Sequence, residues 1–221
     1  MLSPPGFSCD ILAELYHERK RLATKKRKRD RVKSFWRIRQ QNNLTRSKQL
    51  LDVLGDEVYC DVLRVDLFTG MREGEVLGLQ WSCVDFGRGT ITIEKQLSRL
   101  QVKGEEYRFT SPKNDKPRTI QPAPFVMQLL KRQRRRQSED RIRAGAAWDD
   151  DGFPDLVFTS ETGKYLNYQI VLRHLKKALE AAGLPEKRFH DLRHTYAVTS
   201  LQAGDDVKTV QENLGHHRFH S

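Results

Sequence analysis

Three clusters of residues in this sequence combine charge with a spacing suited to work on a phosphate ester. The first is Arg72 in "TGMREGEV", which follows the glycine closing one helix and begins the next, with Glu75 one turn on. The start of a helix carries a positive partial charge and normally selects Asp or Glu, so an arginine there runs against the local field. The second is "HDLRHTY". On a helix, His190, Arg193 and His194 fall at i, i+3 and i+4 and project near one face. Arg193 is flanked by Leu192, Tyr196, Ala197 and Val198, which face the core, so its guanidinium needs an anionic partner. The third is "LGHH", in which Gly215 ends a helix and His216 sits just past it.

Each cluster also has a structural explanation. Arg72 pairs with Glu75 at the surface, Arg193 is a buried arginine paired with Asp191 or Glu75, and His216 is a favourable charge beside a helix C-terminus. One phosphodiester would account for all three together. Two arginines can bind its non-bridging oxygens by bidentate, charge-assisted bonds. They can then stabilise the charge added in a pentacoordinate transition state. Histidines can donate to the same oxygens or move protons. The arginines supply the positive charge, so this chemistry requires no metal and no cofactor.

The elements that must position these residues are mostly helical. A short helix follows Thr45, a plausible N-cap, and stops at Gly55. "DEVYCDVLRVDLFTG" places Val58, Val62, Val65 and Leu67–Phe68 at helical spacing and ends at Gly70. "REGEVLGLQW" is a short helix with Val76, Leu77 and Leu79 turned inward. "TITIEK" alternates as a strand, and "YRFTSPKNDKPRTIQP" reads as two strands around a polar turn at Asn114–Asp115, with Lys113 at its shoulder. A long basic helix from Phe125 to about Ala144 contains "KRQRRR", Lys131 to Arg136. Three more helices follow, ending at Gly183, Gly204 and Gly215. The fold class is therefore α+β, mostly helical, with a small three-stranded antiparallel sheet. It forms one domain, 44–221, preceded by a basic extension, 1–43.

With 221 residues the chain can bury a real core, and its formal charge of +11 predicts a partner with fixed negative charge, most often nucleic acid. Lys20 to Arg39 reads as an arm suited to an anionic surface or as a solvated tail. Cys9, Cys60 and Cys83 are far apart and unpaired by any CxxC spacing, which fits a reducing compartment. No signal peptide or membrane-length apolar run is present, so a cytoplasmic protein with no membrane partner is expected.

The motifs "TGMREGEVLGLQWSCVDF", "SPKNDKPRTI", "HDLRHTYAVTSLQAG" and "VQENLGHH" resemble the catalytic domain of the tyrosine recombinases, the phage and conjugative-transposon integrases. The resemblance runs from about Leu44 to His217, in the family's order. It implies that Arg72 and Arg193 are the two catalytic arginines and Glu75 the acidic residue that accompanies the first. It further implies that Lys113 protonates the leaving 5′ oxygen, and that His190 and His216 are the two catalytic histidines. The implied reaction is transesterification of double-stranded DNA through a 3′-phosphotyrosyl link, as in site-specific recombination and integration, with no ATP or metal. Lys95, Lys103, Lys116 and the "KRQRRR" face are candidate contacts to backbone phosphates.

The resemblance breaks after "LGH". None of Tyr16, Tyr59, Tyr107, Tyr165, Tyr168 and Tyr196 matches the family's nucleophile position, and Tyr196 is expected in the core. The expectation is a catalytic domain cut at both ends, lacking its C-terminal tyrosine segment, with 1–43 a remnant of, or linker from, a DNA-clamping domain. Such a chain would bind DNA without forming the covalent intermediate alone, and would self-associate weakly or assemble with full-length integrase. Two other classes compete. "GDDVKTVQENLG" has helix-turn-helix character, as in a non-catalytic DNA-binding regulator. His190 and His194 at i, i+4 also imitate a zinc-hydrolase helix, although Asp191 stands where that motif needs Glu and Arg193 would repel the metal.

Overall fold

The structure, a computed structural model, describes residues 44–99, 107–112 and 116–215. The extension 1–43, Lys103, Lys113, the Asn114–Asp115 turn and His216 lie outside the described residues. Among the described residues seven α-helices run in chain order: α1 (44–53), α2 (Val58–Thr69), α3 (Glu73–Leu77), α4 (Pro124–Ala144), α5 (Tyr168–Ala181), α6 (Phe189–Ala203) and α7 (Val207–Asn213). Between α3 and α4 lie β1 (Val84–Asp85), β2 (Thr90–Ile93), β3 (Gln96–Arg99), β4 (Tyr107–Thr110) and β5 (Arg118–Ile120). Among the described residues no helix is long and apolar enough to cross a membrane.

Helix α2 is central because almost its whole circumference is buried: Val62, Leu63, Val65 and Leu67 join Cys60 in the core, with α3, α4, α5 and α6 packed around it. Helix α5 is amphipathic, burying Val171, Leu175, Ala178 and Leu179. The Asn167 side chain caps it by accepting the Gln169 N–H at 2.8 Å. Tyr196, Ala197, Val210 and Leu214 form a smaller apolar cluster between α6 and α7.

The expected three-stranded antiparallel sheet is present, in the order β1-β2-β5, but its strands are not those of the expected turn. The two strands around Asn114–Asp115 do not pair with each other: β4 pairs with β3 in a separate two-stranded sheet, and β5 pairs with β2. Burial explains the exchange. The β2–β5 register sets Ile91 opposite Ile120, both inside, and the Thr92 and Thr119 hydroxyls 3.2 Å apart on the other face. In the second sheet Leu97 lies opposite Phe109, and the Ser98 and Thr110 hydroxyls are 2.7 Å apart. Thr45 also departs from expectation: residue 44 is already helical, so Thr45 lies inside α1 rather than capping it.

Asp61, fully buried in the first turn of α2, fixes the α1–α2 corner to α4. Its carboxylate accepts from Arg64 and Arg132, each at 2.9 Å, and from Arg136. Arg64 also donates to the Leu54 and Gly55 carbonyls, and Arg136 to that of Asp56. Asp61→Ala would leave three guanidinium groups facing one another. Arg132 is 44% exposed, so solvent relieves part of that repulsion. The expected loss is about 2–3 kcal/mol of unfolding free energy, measured by chemical denaturation.

Candidate functional site

Gly70 ends α2 in the left-handed region, φ 62°, and a Cβ there would lie 2.3 Å from the Tyr196 ring. The tight turn delivers Arg72 as the N-cap of α3 with extended backbone, φ −74° and ψ 154°. Glu75 resolves the conflict between an arginine and the start of a helix. Its Oε2 accepts the Arg72 backbone N–H at 2.8 Å, and its Oε1 accepts Arg72 Nη1 at 2.7 Å. The pair expected at the surface is thus partly inside: Glu75 is fully buried and the Arg72 side chain is 20% exposed.

Glu75 has a second arginine, which the motif reading missed. Arg118 on β5 donates Nη1 to Oε1 at 2.9 Å and Nη2 to Oε2 at 2.5 Å. Each carboxylate oxygen therefore accepts one bond from each arginine. Burial by itself would raise the Glu75 carboxyl, but the hydrogen bonds and charge of Arg118, followed by those of Arg72, outweigh it and bring the pKa down to about 2. A sequence signal for Arg118 existed. Alternation along "RTI" puts Arg118 on the same face as the buried Ile120, where an arginine needs an acidic partner.

Helix α6 brings in Arg193, which is 3% exposed. It donates Nη1 to the Gly70 carbonyl and Nη2 to that of Leu214, at the C-terminal ends of α2 and α7. Those carbonyls are the electronegative poles of their helices, and a guanidinium complements both. Arg118 Nε takes the neighbouring Asn213 carbonyl at 2.8 Å. Burial, and next the charge of Arg72, lower the Arg193 pKa to about 10, with Arg118 adding to the effect. Arg72, Arg118 and Arg193 thus lie within electrostatic reach of one another, on one side of the molecule.

Asp66, fully buried on α2, also faces this group. Neither of its carboxyl oxygens has a hydrogen-bond partner, and burial raises its pKa well above the usual carboxylate range, despite the opposing charge of Arg193. Asp66 thus lies beside a group of three guanidiniums, in which Arg72 and Arg118 have the Glu75 carboxylate as their hydrogen-bonded counter-charge. His190 and His194 meet edge to face, 4.7 Å between ring centres. Burial lowers the pKa of both; for His190, His194, Arg193 and Arg72 lower it further. Neutral imidazoles at pH 7 can donate or accept a proton.

The structure therefore brings together Arg72, Glu75, His190 and Arg193, adds Arg118, and leaves other candidates at the surface. Lys95 is exposed and reaches Gln80 Oε1 at 3.4 Å, and Lys116 is exposed. Lys103, Lys113 and His216 fall outside the described residues, although Gly215, next to His216, is buried against the Arg118 guanidinium. The "KRQRRR" run divides: Arg132 and Arg136 are committed to Asp61, while Lys131, Arg134 and Arg135 are exposed. Tyr196 is in the core, as expected, with its hydroxyl accepting from Asn213 Nδ2 at 3.0 Å. Among the described residues no group of three His, Cys, Asp or Glu side chains could hold a metal ion.

Comparison with known proteins places this geometry in context. The sequence model of the Phage integrase family matches residues 44–221. A protein named tyrosine recombinase XerC-like from Caldanaerobacter subterraneus subsp. tengcongensis is 36% identical over 155 residues, covering 67% of this chain and 40% of that protein. The ICEBs1 integrase of Bacillus subtilis is 28% identical over 153 residues, covering 69% of this chain and 40% of its own length. The chain spans about 40% of the length of these relatives. The Tn1549 transposon integrase in complex with circular intermediate DNA superimposes with a TM-score of 0.62 at 25% identity, over 79% of this chain and 58% of that one. The catalytic core of lambda integrase shares the fold, with a TM-score of 0.53 at 16% identity, over 79% of this chain and 90% of that core.

Proposed function

The chain belongs to the phage integrase family and has the catalytic-domain fold of the tyrosine recombinases, and on that premise we propose that it grips a phosphodiester of double-stranded DNA for the strand transesterification of site-specific recombination. The observation that carries this reading is the buried Glu75 carboxylate held by Arg72 and Arg118 beside Arg193, three guanidinium groups gathered at one site. Clustered guanidinium charge suits a phosphodiester that gains negative charge as it passes to a pentacoordinate transition state. Arg72 and Arg193 bind the non-bridging oxygens. His190, joined by His216, donates to them or moves a proton, and Lys113 protonates the leaving 5′ oxygen. Lys95, Lys103 and Lys116 add backbone contacts, and residues 1–43 act as a linker from, or remnant of, a DNA-clamping domain. The family relationship and the Tn1549 integrase–DNA complex support DNA as the ligand.

Among the described tyrosines, Tyr196 is nearest in sequence to Arg193, and its hydroxyl is engaged with Asn213. Tyr196 is therefore not read as the nucleophile, and residues 1–221 by themselves are expected to hold the phosphate without cleaving it. The test is a nicked suicide duplex incubated with the 221-residue chain. The expected result is salt-dependent binding without a covalent adduct, the slope of log affinity against log salt falling by about 0.9 for each phosphate contact removed. A denaturation-resistant protein–DNA adduct would place a nucleophile among residues 1–221 and overturn this reading, and salt-insensitive binding would overturn the phosphate grip.

A further inference from the structure

Arg118 has its inward-facing donors committed. Its fork closes on both oxygens of Glu75, and its Nε holds the Asn213 carbonyl at the end of α7, in a side chain only 7% exposed. Glu75 in turn holds the backbone and the side chain of Arg72. Gly215 lies against the same guanidinium, where an added Cβ would sit 3.2 Å from Arg118 Cδ and Nη1. One side chain thus touches the acidic residue that orients Arg72, the helix end that leads to His216, and, through its own strand, the segment that follows Lys113.

We propose that Arg118 is a positioning residue for the phosphate site: it fixes the plane of the Glu75 carboxylate, and through it the Arg72 guanidinium, while anchoring the end of α7. The proposal rests on the reading of Arg72 as a phosphate ligand. Without Arg118, Glu75 is held only by Arg72, three residues away on the same short helix. A carboxylate tethered on one side can rotate about its terminal torsions, and Arg72 turns with it. With Arg118 in place, its fork from β5 meets the carboxylate that Arg72 holds by its backbone N–H and Nη1, and the geometry is over-determined. A lysine at 118 would keep the charge but present a single nitrogen, so it could not engage both oxygens and the Asn213 carbonyl together. The role is one of placement because Arg118 touches Glu75, the carboxylate that also holds the backbone and side chain of Arg72.

The experiment compares Arg118→Lys with the wild type in the full chain, alone and in an Arg72→Ala background. The readouts are duplex-DNA affinity by fluorescence anisotropy and the arginine Nε–H resonances of the free protein. Arg118→Lys is expected to shift or broaden the Arg72 Nε–H resonance and to weaken DNA binding about tenfold, the scale of one well-made charge-assisted contact. In the Arg72→Ala background the same substitution should cost little, because its effect passes through Arg72. An unchanged Arg72 resonance, or an equal loss of affinity in both backgrounds, would overturn the positioning role. Should Arg118→Lys not fold, Glu75→Gln, which preserves shape and both arginines, is expected to displace the Arg72 resonance likewise, and an unmoved resonance there rejects the role. The two readings fail separately. Wild-type affinity in Arg72→Ala alone rejects the phosphate grip, while the Arg72 resonance judges Arg118 without reference to DNA.

Discussion

A Glu75→Ala variant is expected to lose about 3–5 kcal/mol of unfolding free energy at pH 7, measured by chemical denaturation. Glu75 is fully buried and neutralises two arginines, one of them only 7% exposed. Its removal leaves Arg118 and Arg72 facing Arg193 without the carboxylate that pairs with both. The pH dependence gives an independent estimate. The Glu75 carboxyl lies at about 2 in the folded chain against an ordinary 4.5. Its folded pKa is depressed, so its contribution is complete above pH 4.5 and is lost as pH falls toward 2. Two and a half pKa steps correspond to about 3 kcal/mol, in line with the range for a broken buried pair. The wild-type minus variant difference should therefore narrow as pH is lowered through that window. A difference that stays constant down to pH 3 would mean that the carboxylate charge is not what holds the cluster.

Much of this arrangement was legible in the sequence, because the signals were local. Gly70, Gly204 and Gly215 mark helix ends, and the apolar spacing of α2, α5 and α6 places their buried faces. His190 and Arg193 share a helix, so their proximity follows from its period. Arg72 and Arg193 were candidates because each was costly where it stood. What brings them together is long-range: α6 packs on α2, and the guanidinium of Arg193 finds two helix ends that no sequence window contains together. The strand exchange around Asn114–Asp115 was missed for the same reason. Turn chemistry suggests a neighbour, whereas the sheet is decided by where Ile91 and Ile120 can be buried. Alternation marks Arg118 as inward-facing, but its partner Glu75 lies 43 residues away; Asp61 stands between Cys60 and Val62, and two of its three arginines come from α4, 71 and 75 residues on.

The Arg72 and Arg193 pair carries the second large effect. Each is expected to contribute about tenfold or more to duplex affinity, as charge-assisted contacts to a phosphate do. Arg193→Ala is a poor probe, since it strips the Gly70 and Leu214 carbonyls of their buried donor and weakens the fold as well. Arg193→Lys keeps the charge and loses the fork. The most direct measurement is a double-mutant cycle of Arg72→Ala and Arg193→Lys, with duplex affinity read by anisotropy at one fixed salt concentration. Two guanidinium groups on one phosphate should be coupled, so each single variant weakens binding and the double loses less than the product of the two. Losses that multiply as for independent sites, or a double variant that binds as tightly as the wild type, would contradict a shared phosphate.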